Sequence, residues 1–286
     1  MRLRSPAPLL GAVLLTLVVQ TTVTAQPAKA LLNASEEPTV ALFSTSSRFL
    51  VGGASANGGW VGTDATASRL PPNARLTALR LGSTTALGTQ PLVSTHPPDI
   101  CSWNWDYGDF GIRDAPLAVT LPKKPLLPRP VTPLVSTDAD SRAIVRDFLR
   151  AKKMPKAKVR VTGAAKADLD GDGRVEHIIA ASAFQATGDY QGQTMRGDYD
   201  LVLVRTVRAG RAFNYVLSFD AFGSSNGVAS GGSQHELLAI ADLNGDAVME
   251  VMTEATYWEA SAVEVFATTK RADGPWKSVL SENCGV

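Results

Sequence analysis

Cysteine is nearly absent: Cys101 and Cys284 are the only two among 286 residues. That count excludes a disulfide-dense scaffold and a four-cysteine zinc site. Histidine is as sparse, with His96, His177 and His235 alone, and none stands at a zinc-hydrolase spacing. The run HELLA, residues 235–239, opens like such a motif but ends in alanine where a second imidazole is required. No glycine run precedes a Lys-Ser or Lys-Thr pair, so the phosphate cradle of a P-loop is missing. An excess of one charge is also lacking, with 28 Lys plus Arg against 27 Asp plus Glu. That balance argues against nucleic acid as a partner, because a polyanion rewards a strong positive field. The apolar run Leu9 to Val19 has eleven residues. About 20 are needed to cross a bilayer.

That short run is instead placed like an export signal. Arg2 and Arg4 supply the positive start, and Val23-Thr24-Ala25 a small-residue cleavage site, so cleavage is expected after Ala25. Removing Arg2 and Arg4 leaves 26 basic against 27 acidic residues, a net charge of −1. The exported chain, periplasmic or secreted, then meets an oxidising compartment with both cysteines. A Cys101–Cys284 bond would close a loop of more than 180 residues. On the chain-entropy model it would be worth at most about 5 kcal/mol. The alternative is two independent buried thiols.

What the chain does have is 44% hydrophobic content, enough for a real core, distributed in short runs. Residues 26–120 are rich in Gly, Ser and Thr between runs such as TVALFST, RLTALRLGS and APLAVTLP, and read as a β-rich N-terminal domain, with one small helix starting near Thr63 or Asp64. Residues 121–135 form a proline-rich linker: five of the fourteen positions 121–134 are proline, which predicts an extended connector. Residues 136–286 make up the rest. They open with a helix in which Ser136, Thr137 or Asp138 is available as N-cap and Ile144, Val145, Phe148 and Leu149 make one apolar face. The basic cluster Arg150, Lys152, Lys153, Lys156, Lys158 and Arg160 follows it, where cations suit the negative end of the helix dipole.

Beyond this helix the chain repeats. ADLDGDGRVEHIIAASAF from Ala167 aligns with ADLNGDAVMEVMTEATYW from Ala241, an offset of 74 residues. The strand-turn-strand pieces that follow, 199–218 and 261–281, align as well. The expected fold is therefore mainly β: two antiparallel β-units, each headed by an acidic loop, one covering helix, and the β-rich N-terminal region.

The first loop sets Asp168, Asp170 and Asp172 at positions 1, 3 and 5, Gly173 at 6 and Glu176 at 9. Alternating side chains at this spacing turn inward around one centre when a glycine permits the sharp turn. Oxygen-only donors select calcium over transition metals, and an ion would relieve the repulsion among four carboxylates. An EF-hand would need glutamate at position 12 and flanking helices; Ile179 stands there, between predicted strands. The second loop offers Asp242, Asn244, Asp246 and Glu250 in the same register, with Ala247 in place of the glycine and one charge fewer. Its site is expected to be weaker, or to hold its turn without an ion.

These two stretches resemble the acidic-loop repeats of the FG-GAP and VCBS type, and the overall layout is similar to that of secreted bacterial proteins of uncharacterised function. The resemblance implies Ca²⁺ held by Asp168, Asp170, Asp172, Glu176 and the carbonyl of Arg174, and in the second loop by Asp242, Asn244, Asp246, Glu250 and the carbonyl of Val248. Family members commonly carry more repeats arranged as a propeller, and this chain has two.

No catalytic set emerges, and the expectation is a non-catalytic, exported calcium-binding protein that binds a partner protein or a cell-envelope glycan. His177, next to Glu176, is expected on the polar face of its strand. Within CSWNWDYGDF, residues 101–110, Trp103, Trp105 and Tyr107 could form a ligand platform, or Trp103 and Trp105 could pack in the N-terminal core. Tyr257 and Trp258 carry the same two readings. The alternatives kept open are a carbohydrate-binding module and a secreted hydrolase.

Overall fold

The computed structural model describes residues 38–46, 49–91, 93–95, 104–106, 115–120, 125–184, 193–194, 197–222, 229–230, 232–257, 260–268, 272 and 274–285. The expected signal segment, Cys101, Trp103, Tyr107 and Trp258 lie outside these residues. Trp105 and Cys284 are placed as strand positions only.

The N-terminal part contains β1 (Pro38–Ser44), β2 (Leu50–Ser55), β3 (Trp60–Val61), α1 (Thr63–Ala67), β4 (Asn73–Arg80), β5 (Ser83–Pro91), β6 (Val93–Thr95), β7 (Asn104–Asp106) and β8 (Leu117–Thr120). Next come β9 (Val131–Leu134), α2 (Ala139–Ala151), β10 (Val161–Ala167), β11 (Glu176–Ala183), β12 (Gln193–Thr194), β13 (Tyr199–Arg208) and β14 (Arg211–Ala221). The chain closes with β15 (Ala229–Ser230), β16 (Gln234–Ala241), β17 (Glu250–Thr256), β18 (Ala260–Thr268) and β19 (Trp276–Gly285).

The fold is mainly β, built on three antiparallel sheets. The N-terminal sheet runs β3-β2-β1-β8-β4-β5, the middle one of the sequence β14-β13-β11-β10-β9, and the C-terminal one β16-β17-β18-β19. Each repeat is a four-stranded meander. The first carries an insertion that contributes β12, paired with β15, and gains β9 at its edge. Pro133 sits on that edge strand, where a missing backbone donor costs least.

The C-terminal sheet is the central layer. One face, with Ala239, Ala241, Met252, Val263 and Val265, shares a core with Val40, Leu42, Val51, Leu117 and Val119 of the N-terminal sheet. The other face, with Ile240, Val251 and Phe266, shares a core with Ala165, Ile178, Ala180, Val202 and Val204 of the first repeat. Burial on both faces explains why HELLAIA reads as a nearly continuous apolar run rather than a strict alternation. Gly163 permits the close approach of the two repeats: a Cβ there would stand 2.9 Å from Leu237 Cβ.

The outer face of the first repeat is covered by α2. Asp138 caps the helix, its Oδ2 accepting from Ser141 N at 2.8 Å. Val145, Phe148 and Leu149 pack on Ile179, Tyr199, Leu201 and Leu203. Phe148 meets Phe219 edge to face, centroids 5.1 Å apart. Each such buried apolar side chain contributes about 1.5–3 kcal/mol.

Candidate metal site at two matched acidic loops

Loop 168–175 joins β10 to β11 and loop 242–249 joins β16 to β17, strand to strand in both repeats. The glutamate at the ninth position begins the outgoing strand and points inward, so that Glu176 and Glu250 are each 1% exposed.

The two loops make the same hydrogen bonds. Asp168 accepts from Gly171 N at 2.8 Å and from Gly173 N at 3.1 Å. Asp242 accepts from Gly245 N at 2.7 Å and from Ala247 N at 2.9 Å. Asp170 Oδ1 accepts from Asp172 N, as Asn244 Oδ1 does from Asp246 N. Asp172 Oδ1 accepts from Arg174 N, as Asp246 Oδ1 does from Val248 N. Glu176 Oε2 accepts from Leu169 N at 3.0 Å, and Glu250 Oε2 from Leu243 N at 2.8 Å. Position 4 has φ +75 at Gly171 and +74 at Gly245, and position 6 has φ +83 at Gly173 and +72 at Ala247. Ala247 thus adopts the left-handed turn despite its Cβ, at a cost of about 1–2 kcal/mol.

Position 3 separates the loops. Asn244 Nδ2 donates to Asp246 Oδ2 at 3.2 Å and to the carbonyl of Gly58 in the β2–β3 turn at 3.4 Å. An amide N–H therefore partly does for Asp246 what a cation would do. Asp170, by contrast, has no hydrogens to offer. Its Oδ2 accepts from Ala272 N at 2.7 Å, in the β18–β19 connection.

Ligand atoms of Asp168, Asp170 and Glu176 lie within 4.8 Å of one another, the one such group among the described residues. Each of their bonded oxygens keeps a second lone pair, so the donor set suits a hard divalent cation. Asp172 stands apart from this triple, its Oδ2 facing the Arg174 guanidinium at 3.4 Å. The matching positions of the second loop are Asp242, Asn244 and Glu250, with an amide in place of one carboxylate. Burial pushes the Glu176 carboxyl up to about 6, against the bond from Leu169 N, and the charges of Asp170 and Asp172 add to the rise. Burial likewise raises Glu250 well above its ordinary value, and it raises Asp242 as well. A cation among these groups would act in the opposite direction.

Two histidines have partners that no motif announces. His177 is buried, with Nε2 2.8 Å from Ser141 Oγ in the first turn of α2, and burial lowers its pKa. It faces away from Glu176 as its position in the strand requires, but the helix covers it, so it is no polar-face residue. His235 of β16 bonds through Nδ1 to the fully buried Asp200 of β13, which also accepts from His235 N at 2.8 Å. His235 Nε2 stands 3.3 Å from Glu264 Oε2 on β18. Burial alone would lower the His235 pKa, but the bonds to Asp200 and Glu264 prevail and push it up to about 9. Residues 35 positions apart meet here only because the two repeats pack together.

Residues 223–227, GSSNG, have Gly-x-Ser-x-Gly spacing. They lie outside the described residues, and the next described element is β15 rather than the helix that a nucleophile elbow requires. No family model, curated protein or solved structure matches the chain.

Proposed function

We propose that this chain is an exported, non-catalytic protein whose first acidic loop binds Ca²⁺ through Asp168, Asp170 and Glu176, aided by Asp172 and the Arg174 carbonyl. The ion stiffens a β-scaffold that presents a surface to a partner protein or envelope glycan. The observation that carries this reading is the convergence of three carboxylates within 4.8 Å, one of them buried and raised in pKa, at the head of a duplicated β-unit. The second loop keeps the same turn with the Asn244 amide in place of one charge, which favours an ion-free role there. His235 is engaged by Asp200 and Glu264 where the two repeats meet, which supports a structural role for this histidine.

The test is a thermal melt of the protein in calcium and in chelator. Binding to the native state stabilises by RT ln(1 + [L]/Kd), about 2.7 kcal/mol at a hundredfold excess over Kd. The melting temperature should rise with calcium, and Asp168→Ala should abolish the rise while Asp242→Ala leaves most of it. An unchanged melting temperature in millimolar calcium would overturn the proposal.

A further inference from the structure

The proline-rich segment that precedes β9 runs past both acidic loops and bonds to each. Leu126 is buried, and its carbonyl accepts from Asp242 N, the first residue of the second loop, at 2.8 Å. Three residues later Arg129 reaches across both loops. Its Nε donates to the carbonyl of Asp168, and its Nη2 to the carbonyls of Leu169 at 2.7 Å and Ala247 at 2.6 Å. The Leu169 carbonyl accepts in addition from Met249 N at 2.8 Å, joining the two loops directly. The guanidinium also lies close over the first turn, since a Cβ added to Gly171 would stand 3.1 Å from Nη1.

We infer that Arg129 is a positioning residue that couples the two acidic loops, so that the conformation of the second loop sets the calcium affinity of the first. This rests on the proposed calcium site. Arg129 spends its donors on backbone carbonyls at positions 1 and 2 of one loop and position 6 of the other, and not on the carboxylates of Asp168, Asp170 and Glu176 that would meet an ion. The carbonyl it takes in the second loop belongs to Ala247, the residue in the left-handed conformation. Loosening that turn withdraws one anchor of the guanidinium, whose other two anchors orient the backbone that carries Asp168. A planar fork with five donors can hold three carbonyls at once; the single ammonium of lysine cannot reproduce that geometry. Arg129→Lys therefore separates the geometry from the charge.

The experiment is calcium titration calorimetry on the full chain, reading the site that Asp168→Ala abolishes, with urea unfolding in chelator alongside. Arg129→Lys should weaken that site about tenfold, within the span typical of coupling between sites. Asp242→Ala, which removes the acceptor for Gly245 N and Ala247 N, should weaken it severalfold when Arg129 is present and leave it unchanged in the Arg129→Lys background. Should Arg129→Lys not fold, the Asp242→Ala titration decides alone. Equal affinity in Asp242→Ala and the parent protein overturns the coupling. A purely structural Arg129 would lower stability in chelator and leave the affinity alone, which also overturns it. Absence of any calcium binding by the parent protein would instead remove the metal reading itself.

Discussion

Exchanging the residues at position 6 of the two loops tests whether they share one geometry. Ala247 carries φ +72 and Gly173 φ +83, while both amides donate to the aspartate at position 1. An L-residue held there pays about 1–2 kcal/mol that glycine does not. Glycine gives back part of this, roughly 0.5–1 kcal/mol, through the greater freedom of its unfolded chain. Ala247→Gly should therefore stabilise the protein by about 0.5–1 kcal/mol. Gly173→Ala should destabilise it by a similar amount, and for conformational reasons alone, because nothing lies within 4 Å of the Cβ it would add. Equilibrium urea unfolding in chelator reads both changes free of any contribution from an ion; the midpoint should move in opposite directions for the two variants, with an unchanged slope. The corresponding shifts in melting temperature are about 1–4 °C for a chain of this size. A glycine at 247 that leaves the midpoint unchanged or lowers it would refute the reasoning, and so would a neutral Gly173→Ala.

Further outcomes concern the contact between the two repeats. The folded pKa of His235, about 9, lies above the ordinary value of 6.5. Its proton therefore adds stability that is fully present below pH 6.5 and is lost progressively as pH rises to about 9, a contribution on the order of 3 kcal/mol. Urea midpoints of the parent protein should fall across that interval, and His235→Gln should flatten the fall; a variant with the parental pH profile would show that Asp200 and Glu264 do not hold the charge. Gly163→Ala forces a methyl to 2.9 Å from Leu237 Cβ and should destabilise by about 1–3 kcal/mol. Chemical denaturation checks this, and a loss below about 0.5 kcal/mol would mean that the sheets can separate at little cost.

The local parts of this protein were legible without coordinates, because each depends on neighbours in the chain. Three carboxylates and two glycines within residues 168–173 predict a strand-loop-strand turn, and the apolar spacing of Ile144, Val145, Phe148 and Leu149 behind Ser136, Thr137 and Asp138 predicts a capped amphipathic helix, though not which of the three caps it. The repeat itself, visible as an offset of 74 residues, predicts two similar meanders. Other features were decided only when the sheets stacked. Burial of both faces of β16–β18, the union of His235 with Asp200 and Glu264, and the reach of Arg129 from a proline-rich segment to both acidic loops all involve residues far apart in sequence. Side-chain periodicity says which face of a strand is apolar, but not which sheet will cover it. The position of a lone histidine or arginine says nothing of the carboxylate or carbonyl that packing will set beside it. Local spacing thus determined the two turns, and the tertiary structure determined that they touch.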